Sequence, residues 1–214
     1  MNLRIPSLTV LCLMLALLPA SAQVLYDNGP INGTVDAWNI NFGFETSDSF
    51  ALASSSTVTG FNFGAWEFPG DQTLTVDWSI TAFEGGGTIY GSGTASVADA
   101  FISVNQYGYD IDKLSVTGLN LPLDAGSYWF NLQNATDLQG NPIFWDDNSG
   151  IGCTGDGNDG SCPSLASNNS VGTLTSEAFD ITGTSAGQTP EPSSILLLGS
   201  EILAVVGILR RRSF

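Results

Sequence analysis

The stretch Leu74-Thr75-Val76-Asp77-Trp78-Ser79-Ile80-Thr81 decides the fold class of this chain. Its even-numbered positions hold apolar side chains and its odd-numbered positions hold polar ones. Successive side chains of a β-strand point to opposite faces of the sheet, so this alternation predicts a strand with one buried face. It is the clearest strand pattern in the sequence.

Similar short runs lie on both sides of this stretch and are separated by Gly, Asn, Asp and Pro, as strands separated by turns are. No segment shows an apolar stripe over three helical turns. The pattern therefore predicts an all-β fold, namely a two-sheet antiparallel β-sandwich of jelly-roll type over residues 23–182. The predicted strands cover residues 35–44, 50–53, 57–68, 74–81, 88–97, 100–107, 113–121, 128–133, 143–146 and 172–181.

Two local features refine this prediction. Phe61, Phe63, Ala65 and Glu67 fall at every second position, so they are expected on one face of their strand. Glu84-Gly85-Gly86-Gly87 has the composition of a hairpin turn between the strands that flank it.

The first 22 residues have the pattern of a secretory signal peptide. Arg4 is followed by an apolar run over residues 8–18 and by Ala20-Ser21-Ala22, a small-residue cleavage site. The alternative is a buried N-terminal helix. The residues from 23 onward are expected to form the exported protein.

Charge is distributed unevenly. The chain has 21 acidic and five basic residues and a formal net charge of −16. Arg4 and the final three arginines lie in the terminal segments, so Lys113 is the only basic residue between them. Such an acidic surface repels phosphate backbones and argues against nucleic-acid binding. It favours solubility, and it is also able to attract divalent cations.

Two cysteines remain once the signal peptide is set aside. Cys153 and Cys162 are expected to form a disulfide, as an even pair in an exported chain does. The loop between them contains Asp156, Asn158 and Asp159, oxygen ligands of the type that Ca²⁺ accepts, although their spacing does not fit an EF-hand. Solvated acids are the alternative, and no other cofactor is expected.

Catalytic chemistry has little support in the sequence. The chain contains no histidine, which excludes Ser-His and Cys-His catalysis. Neither a nucleophile elbow nor a phosphate-binding glycine loop is present. Paired carboxylates would suffice for glycoside hydrolysis, but with this many acids a close pair is expected by chance. The protein is predicted not to be an enzyme.

One segment suggests carbohydrate binding. Trp145, Asp146, Asp147 and Asn148 combine an aromatic ring with the hydrogen-bonding side chains of a predicted loop that follows it. Sugar rings stack on exposed aromatic faces, so this segment is the candidate sugar site if Trp145 is exposed. Trp78 is expected in the core instead, because aromatic residues at strand spacing usually pack there.

A predicted linker over residues 183–189 leads to a C-terminal tail over residues 190–214. The tail begins with Pro190-Glu191-Pro192, continues with an apolar run over residues 195–209 and ends with Arg210, Arg211 and Arg212. Arginines that follow an apolar segment are retained on the cytoplasmic side of a membrane. Fifteen helical residues span only about 22 Å, less than a bilayer core of about 30 Å, so the segment is a poor permanent anchor.

This order of motif, apolar helix and arginine cluster closely resembles the PEP-CTERM sorting domain, whose members are substrates of exosortase, a membrane protease of Gram-negative bacteria that make exopolysaccharide. The resemblance implies that Pro190, Glu191 and Pro192 are the sorting motif and that Arg210 to Arg212 are the cytoplasmic stop. Glu201 departs from the family pattern, since that helix is usually uncharged. An unprocessed C-terminal transmembrane anchor is the alternative.

The same resemblance implies the protein's route. Its partners would be the secretion translocon and an exosortase-type protease, with a transient stay in the inner membrane before the cell surface or extracellular matrix. Exopolysaccharide would be a further partner. Residues 126–135 and 144–148 loosely resemble the Gly-, Asn- and Trp-rich β domains that precede such tails, most of which have no assigned activity.

Overall fold

The computed structural model describes residues 22–148, 164–174 and 176–186. Within these ranges the fold is all-β, with thirteen strands and no helix. In chain order the strands are β1 (Gln23–Asp27), β2 (Ala37–Asn39), β3 (Glu45–Leu52), β4 (Ser56–Glu67), β5 (Thr73–Phe83), β6 (Gly86–Ser96), β7 (Ala98–Val104), β8 (Asp110–Leu123), β9 (Gly126–Asp137), β10 (Phe144–Asp146), β11 (Ala166–Asn168), β12 (Gly172–Leu174) and β13 (Phe179–Ser185).

The strands form two antiparallel sheets. The first sheet is built around β4, which pairs with β8 along one edge and with β13 and then β10 along the other. Strand β7 lies outside β8, β1 outside β13, and β2 outside β10. The second sheet has the order β12-β11-β3-β9-β5-β6. The predicted pair of antiparallel sheets is therefore confirmed.

One hydrophobic core lies between the two sheets. Phe61 of β4 contacts Phe130 of β9 with ring centroids 4.7 Å apart, and it also contacts Trp78 of β5. Val76, Trp78 and Ile80 are all buried, as their alternation predicts. Burial of such apolar and aromatic surface is the main stabilising contribution to a fold of this type.

The strand limits agree with the sequence in some places and differ in others. The hairpin between β5 and β6 pairs Phe83 with Gly86, as predicted. The predicted strand over residues 35–44 is wrong at its end, because only Ala37–Asn39 is extended and Phe42 adopts a left-handed φ of 55°. Strands β1 and β11 were not predicted. Strand β13 runs to Ser185, so the β domain extends beyond residue 182.

Several predicted features lie outside the described residues. They are the signal peptide apart from Ala22, the Cys153–Cys162 disulfide, the loop residues Asp156, Asn158 and Asp159, the sorting motif of Pro190, Glu191 and Pro192, and the cytoplasmic stop of Arg210, Arg211 and Arg212. Across the part of the chain that is described, no helix is long and apolar enough to cross a membrane.

Candidate functional site

Trp145, the predicted sugar platform, lies at the centre of the core. Its side chain is 0% exposed and packs edge-on against Phe130 and Phe179, with centroids 5.5 and 5.6 Å away. The indole Nε1 donates a 3.0 Å hydrogen bond to the carbonyl oxygen of Ala178. The expectation of an exposed ring is wrong, because the ring fills the space between the sheets and offers no face to a ligand.

Asp146 fixes the loop between β1 and β2. Its carboxylate accepts hydrogen bonds from the backbone N–H groups of Asn32 (2.9 Å) and Gly33 (3.1 Å) and from the indole of Trp66 (2.6 Å). Burial raises the pKa of Asp146, and these donors oppose the shift. A buried carboxylate with three donors is a structural group, because its oxygens are already used.

Asp147 and Asn148 are buried as well. Asp147 forms an isolated β-bridge with Glu177, and its backbone N–H donates to the carbonyl oxygen of Asp36 at 2.9 Å. Asn148 donates from Nδ2 to the carbonyl oxygen of Asn28. The four predicted sugar-contacting residues therefore hold the interior together and do not form a surface site.

A further buried acid, Asp48 of β3, also contacts Glu177. Its Oδ2 accepts hydrogen bonds from Asn28 Nδ2 (3.0 Å) and from the backbone N–H of Glu177 (2.7 Å). Burial raises the pKa of Asp48 to about 7 despite these bonds. Burial, with the charges of Asp147, Asp48 and Asp146, also raises the pKa of Glu177 well above its usual value. These groups make the interior sensitive to pH.

Trp38 is the tryptophan best placed for a ligand. It is half-buried and lines a groove of about 320 Å³ together with Phe44, Phe144, Asn168 and Ser170. Its buried indole Nε1 has no hydrogen-bond partner among the described residues. The groove therefore presents three aromatic side chains beside the polar residues Asn168 and Ser170. The sequence left the role of Trp38 open.

The remaining candidate site is a group of three carboxylates, which the sequence analysis did not predict to lie together. Glu67 ends β4, Asp99 is the second residue of β7, and Asp112 lies in β8. One carboxylate oxygen of each residue lies within 4.8 Å of those of the other two. We call these three residues the acidic triad.

Strand register explains why the acidic triad assembles. In the pairing of β4 with β8, Phe63 lies opposite Leu114 and Glu67 opposite Asp110. Side chains two residues apart share a face, so the buried row Phe61, Phe63, Ala65 continues directly into Glu67. Asp112 continues the row of Val116 and Leu114 in the same way. The acids therefore occupy core-facing positions where the apolar rows end.

The second sheet contributes Thr73 to this end of the domain. Its hydroxyl donates a 2.6 Å hydrogen bond to Glu67 Oε1, and its backbone N–H donates to Asp99 Oδ2 at 3.0 Å. Both contacts connect β5 with the first sheet. The remaining oxygen, Glu67 Oε2, is buried and has no hydrogen-bond partner within the described ranges.

Electrostatics at the acidic triad are unfavourable for three full charges. Burial, together with the charges of Asp99 and Asp112, raises the pKa of Glu67 to about 8 despite the hydrogen bond from Thr73. Burial, with the charges of Asp99 and Asp110, raises the pKa of Asp112 to about 7. Asp99 and Asp112 also share a side-chain hydrogen bond, which requires a proton on one of them.

An open groove of about 420 Å³ borders the acidic triad. Asp99 and Asp112 line it, together with Asp71 and Asp110. Solvent therefore reaches two of the three carboxylates from this side.

Neither a protein-family model nor a curated protein matches this chain, so its function has to be inferred from the sequence signature and this geometry.

Proposed function

We propose that this chain is an exported, non-catalytic protein of the cell surface or exopolysaccharide matrix, processed at its C-terminal tail by an exosortase-type protease. The observation that carries the proposal is the order of Pro190-Glu191-Pro192, the apolar run and the final arginines. The predicted signal peptide at the N-terminus supports the same proposal, because a chain has to be exported before a membrane-bound sorting protease is able to cleave it.

The β domain is consistent with this proposal. The thirteen described strands, with the core between their two sheets, all lie between residues 23 and 185. Cleavage before the apolar run would leave those strands intact.

The jelly-roll connection is part of the proposal, and it is supported by the way β3, β4 and β5 alternate between the two sheets. The Cys153–Cys162 disulfide, which suits export, is part of it as well.

The route follows from the physics of the tail. The translocon inserts the apolar run, and Arg210 to Arg212 stay in the cytoplasm because transfer of arginine through the bilayer is costly. The short span and Glu201 make this a weak anchor in the inner membrane. Cleavage at the sorting motif then frees the β domain from the membrane.

Intact mass spectrometry of the protein recovered from cells tests this function. In a strain with an active exosortase, the recovered protein is expected to lack both the first 22 residues and the apolar tail. Replacement of Pro190, Glu191 and Pro192 by alanine is expected to leave the tail attached, while replacement of Ser193 and Ser194 by alanine serves as the matched control. Equal masses with and without the protease would contradict the proposal.

Carbohydrate binding is the second candidate function, now supported by the Trp38 groove and no longer by Trp145. Three aromatic residues line this groove together with Asn168 and Ser170, and aromatic rings beside amide and hydroxyl groups are the groups that recognise sugars. Retention of the protein on the polysaccharide of the producing cell would measure this function. Trp38→Ala is expected to abolish retention, while Trp129→Ala, which changes a half-buried tryptophan of β9, is expected to leave it unchanged.

A further inference from the structure

We propose that Glu67, Asp99 and Asp112 bind a divalent cation, with Ca²⁺ preferred over Mg²⁺. This inference goes beyond export and sorting, and it concerns a site distinct from the loop acids Asp156, Asn158 and Asp159. Oxygens that share one Ca²⁺ ion at 2.3–2.6 Å lie at most about 5 Å apart. The mutual distances within 4.8 Å in the acidic triad satisfy this limit.

The unpartnered oxygen of Glu67 is an independent sign of a ligand. Glu67 is 1% exposed. Its Oε1 accepts a hydrogen bond from Thr73, whereas its Oε2 accepts none from the part of the chain that the structure describes. A buried carboxylate oxygen without a donor carries a large desolvation cost. Coordination of a cation by the Glu67 carboxylate would supply the missing partner.

The described part of the chain has no cationic side chain that neutralises the carboxylates of the acidic triad. Lys113 is the only basic residue between residues 22 and 186. It follows Asp112 directly in β8, so its side chain points to the opposite face of the sheet. There its charge partly opposes the burial that raises the pKa of Asp180. Charge balance at the acidic triad therefore has to come from protons or from a bound ion.

The surroundings of the acidic triad suit a hydrated ion. Ca²⁺ takes six to eight oxygen ligands in flexible geometry, whereas Mg²⁺ demands a regular octahedron at 2.0–2.1 Å. Three carboxylates from three strands leave several positions for water, which the adjoining groove admits. Asp71 and Asp110 line that groove and add negative potential along the path of entry.

Hydrolysis by paired carboxylates fits this geometry less well. Retaining glycosidases hold their two carboxyl groups about 5–5.5 Å apart across an accessible bond, and inverting enzymes hold them further apart. In the acidic triad the oxygens lie closer together, and Glu67 is buried behind its hydrogen bond to Thr73. A small cation reaches such a group more readily than a sugar ring does.

Ion binding would stabilise the edge of the first sheet. Strand β7 is the outermost strand on this side and pairs only with β8 among the described residues. A cation shared by Asp99, Asp112 and Glu67 joins β7, β8 and β4 at one end. Because Thr73 contacts two of these carboxylates, the same ion also strengthens the connection between the sheets.

Thermal unfolding and calorimetric titration of the full chain test the proposal, after removal of metals with EDTA. Addition of 5 mM CaCl₂ is expected to raise Tm by roughly 2–9 °C, given a Kd of about 0.1–1 mM, which is the weak range of extracellular modules. MgCl₂ at the same concentration is expected to give a smaller rise.

Variants assign the response to the acidic triad. D112N and the double variant D99N/D112N are expected to lose the calcium-dependent rise while their metal-free Tm stays equal to or above that of the wild type, because like charges have been removed. E67Q is the second test should D112N fail to fold. D124N is the matched control, since Asp124 follows the opposite end of β8 and is exposed.

Two results would overturn the proposal. One is a wild-type protein whose Tm and calorimetric titration do not respond to CaCl₂. The other is a triad variant that folds and keeps the full wild-type response, which would locate the ion elsewhere in the chain.

Discussion

The hydroxyl of Thr73, on a strand of the second sheet, donates a 2.6 Å hydrogen bond to Glu67 at the end of the central strand of the first sheet. Thr73 and Glu67 are both buried, at 1% exposure each. The bond therefore connects the two sheets away from bulk water, where the loss of a donor to a carboxylate is costly.

Thr73→Val tests the value of this contact. The substitution keeps the shape of the side chain and removes the donor, so Glu67 Oε1 loses its hydrogen bond. The free energy of unfolding is expected to fall by about 1–3 kcal/mol in urea titrations without metal. Thr75→Val on the same strand is the control, because its hydroxyl bonds to Thr136 in an exposed setting and should cost under about 0.5 kcal/mol. Equal effects of the two changes would contradict this assignment.

Trp145 should behave as a core residue in any stability measurement. Trp145→Ala is expected to lower the free energy of unfolding by about 3–5 kcal/mol, because it leaves a large cavity between Phe130 and Phe179. Trp145→Phe should cost less, since most of the volume is retained. A loss of ligand binding by folded Trp145→Phe without loss of stability would show that the ring has a direct functional role.

The pH dependence of stability should be dominated by buried acids such as Asp48. Its pKa is 3.8 in the unfolded chain and about 7 in the folded domain, so the unfolded chain releases the proton first. The stabilising contribution is complete below about pH 4 and is lost as the pH rises towards 7. In metal-free urea titrations, stability should fall across this window by roughly 2–4 kcal/mol for this group.

Asp48→Asn is the control for that slope. Its amide oxygen still accepts hydrogen bonds from Asn28 and Glu177, but it does not titrate. Tyr26 and Glu177 are the titratable groups whose charges couple to Asp48, and both remain in the variant. A shallower slope is expected for Asp48→Asn than for the wild type. Stability that rises between pH 4 and 7 in the wild type would be inconsistent with a buried, protonated Asp48.

Gly60 should be intolerant of any side chain. A Cβ at this position would overlap the carbonyl oxygen of Val116 on the neighbouring strand. Gly60→Ala is expected to cost about 1–3 kcal/mol or more, as overpacking does. Gly93→Ala is the matched control, because its Cβ would lie 3.6 Å from Trp78 Nε1, an ordinary contact. Similar stabilities of the two variants in thermal unfolding would refute this explanation.

Local alternation was enough to predict the fold class and several faces. Val76, Trp78 and Ile80 are buried as expected, and the face shared by Phe61, Phe63 and Glu67 is the core face. These predictions succeed because strand periodicity is a property of neighbouring residues. The prediction that Glu67 shares a strand face with Phe61, Phe63 and Ala65 was the one local sign of an unusual carboxylate.

The site residues were harder to predict, because they depend on contacts distant in sequence. Trp145 is followed by Asp146, Asp147 and Asn148, and three polar residues in succession resemble an exposed loop. They are buried because two distant segments contact them. The loop before β2 donates a hydrogen bond to Asp146, and Glu177 forms a β-bridge with Asp147. The acidic triad likewise requires the register of three strands, which no local pattern reveals.

The position of Lys113 has a practical consequence for detection of this protein. Trypsin cleaves after lysine and arginine, so between Arg4 and Arg210 it has a single site, after Lys113, the fourth residue of β8. Hydrogen bonding to β4 and β7 protects that bond in the folded domain, and digestion of the denatured chain yields only two very long fragments. Routine tryptic proteomics would overlook this protein even where it is abundant, whereas digestion at acidic residues would reveal it.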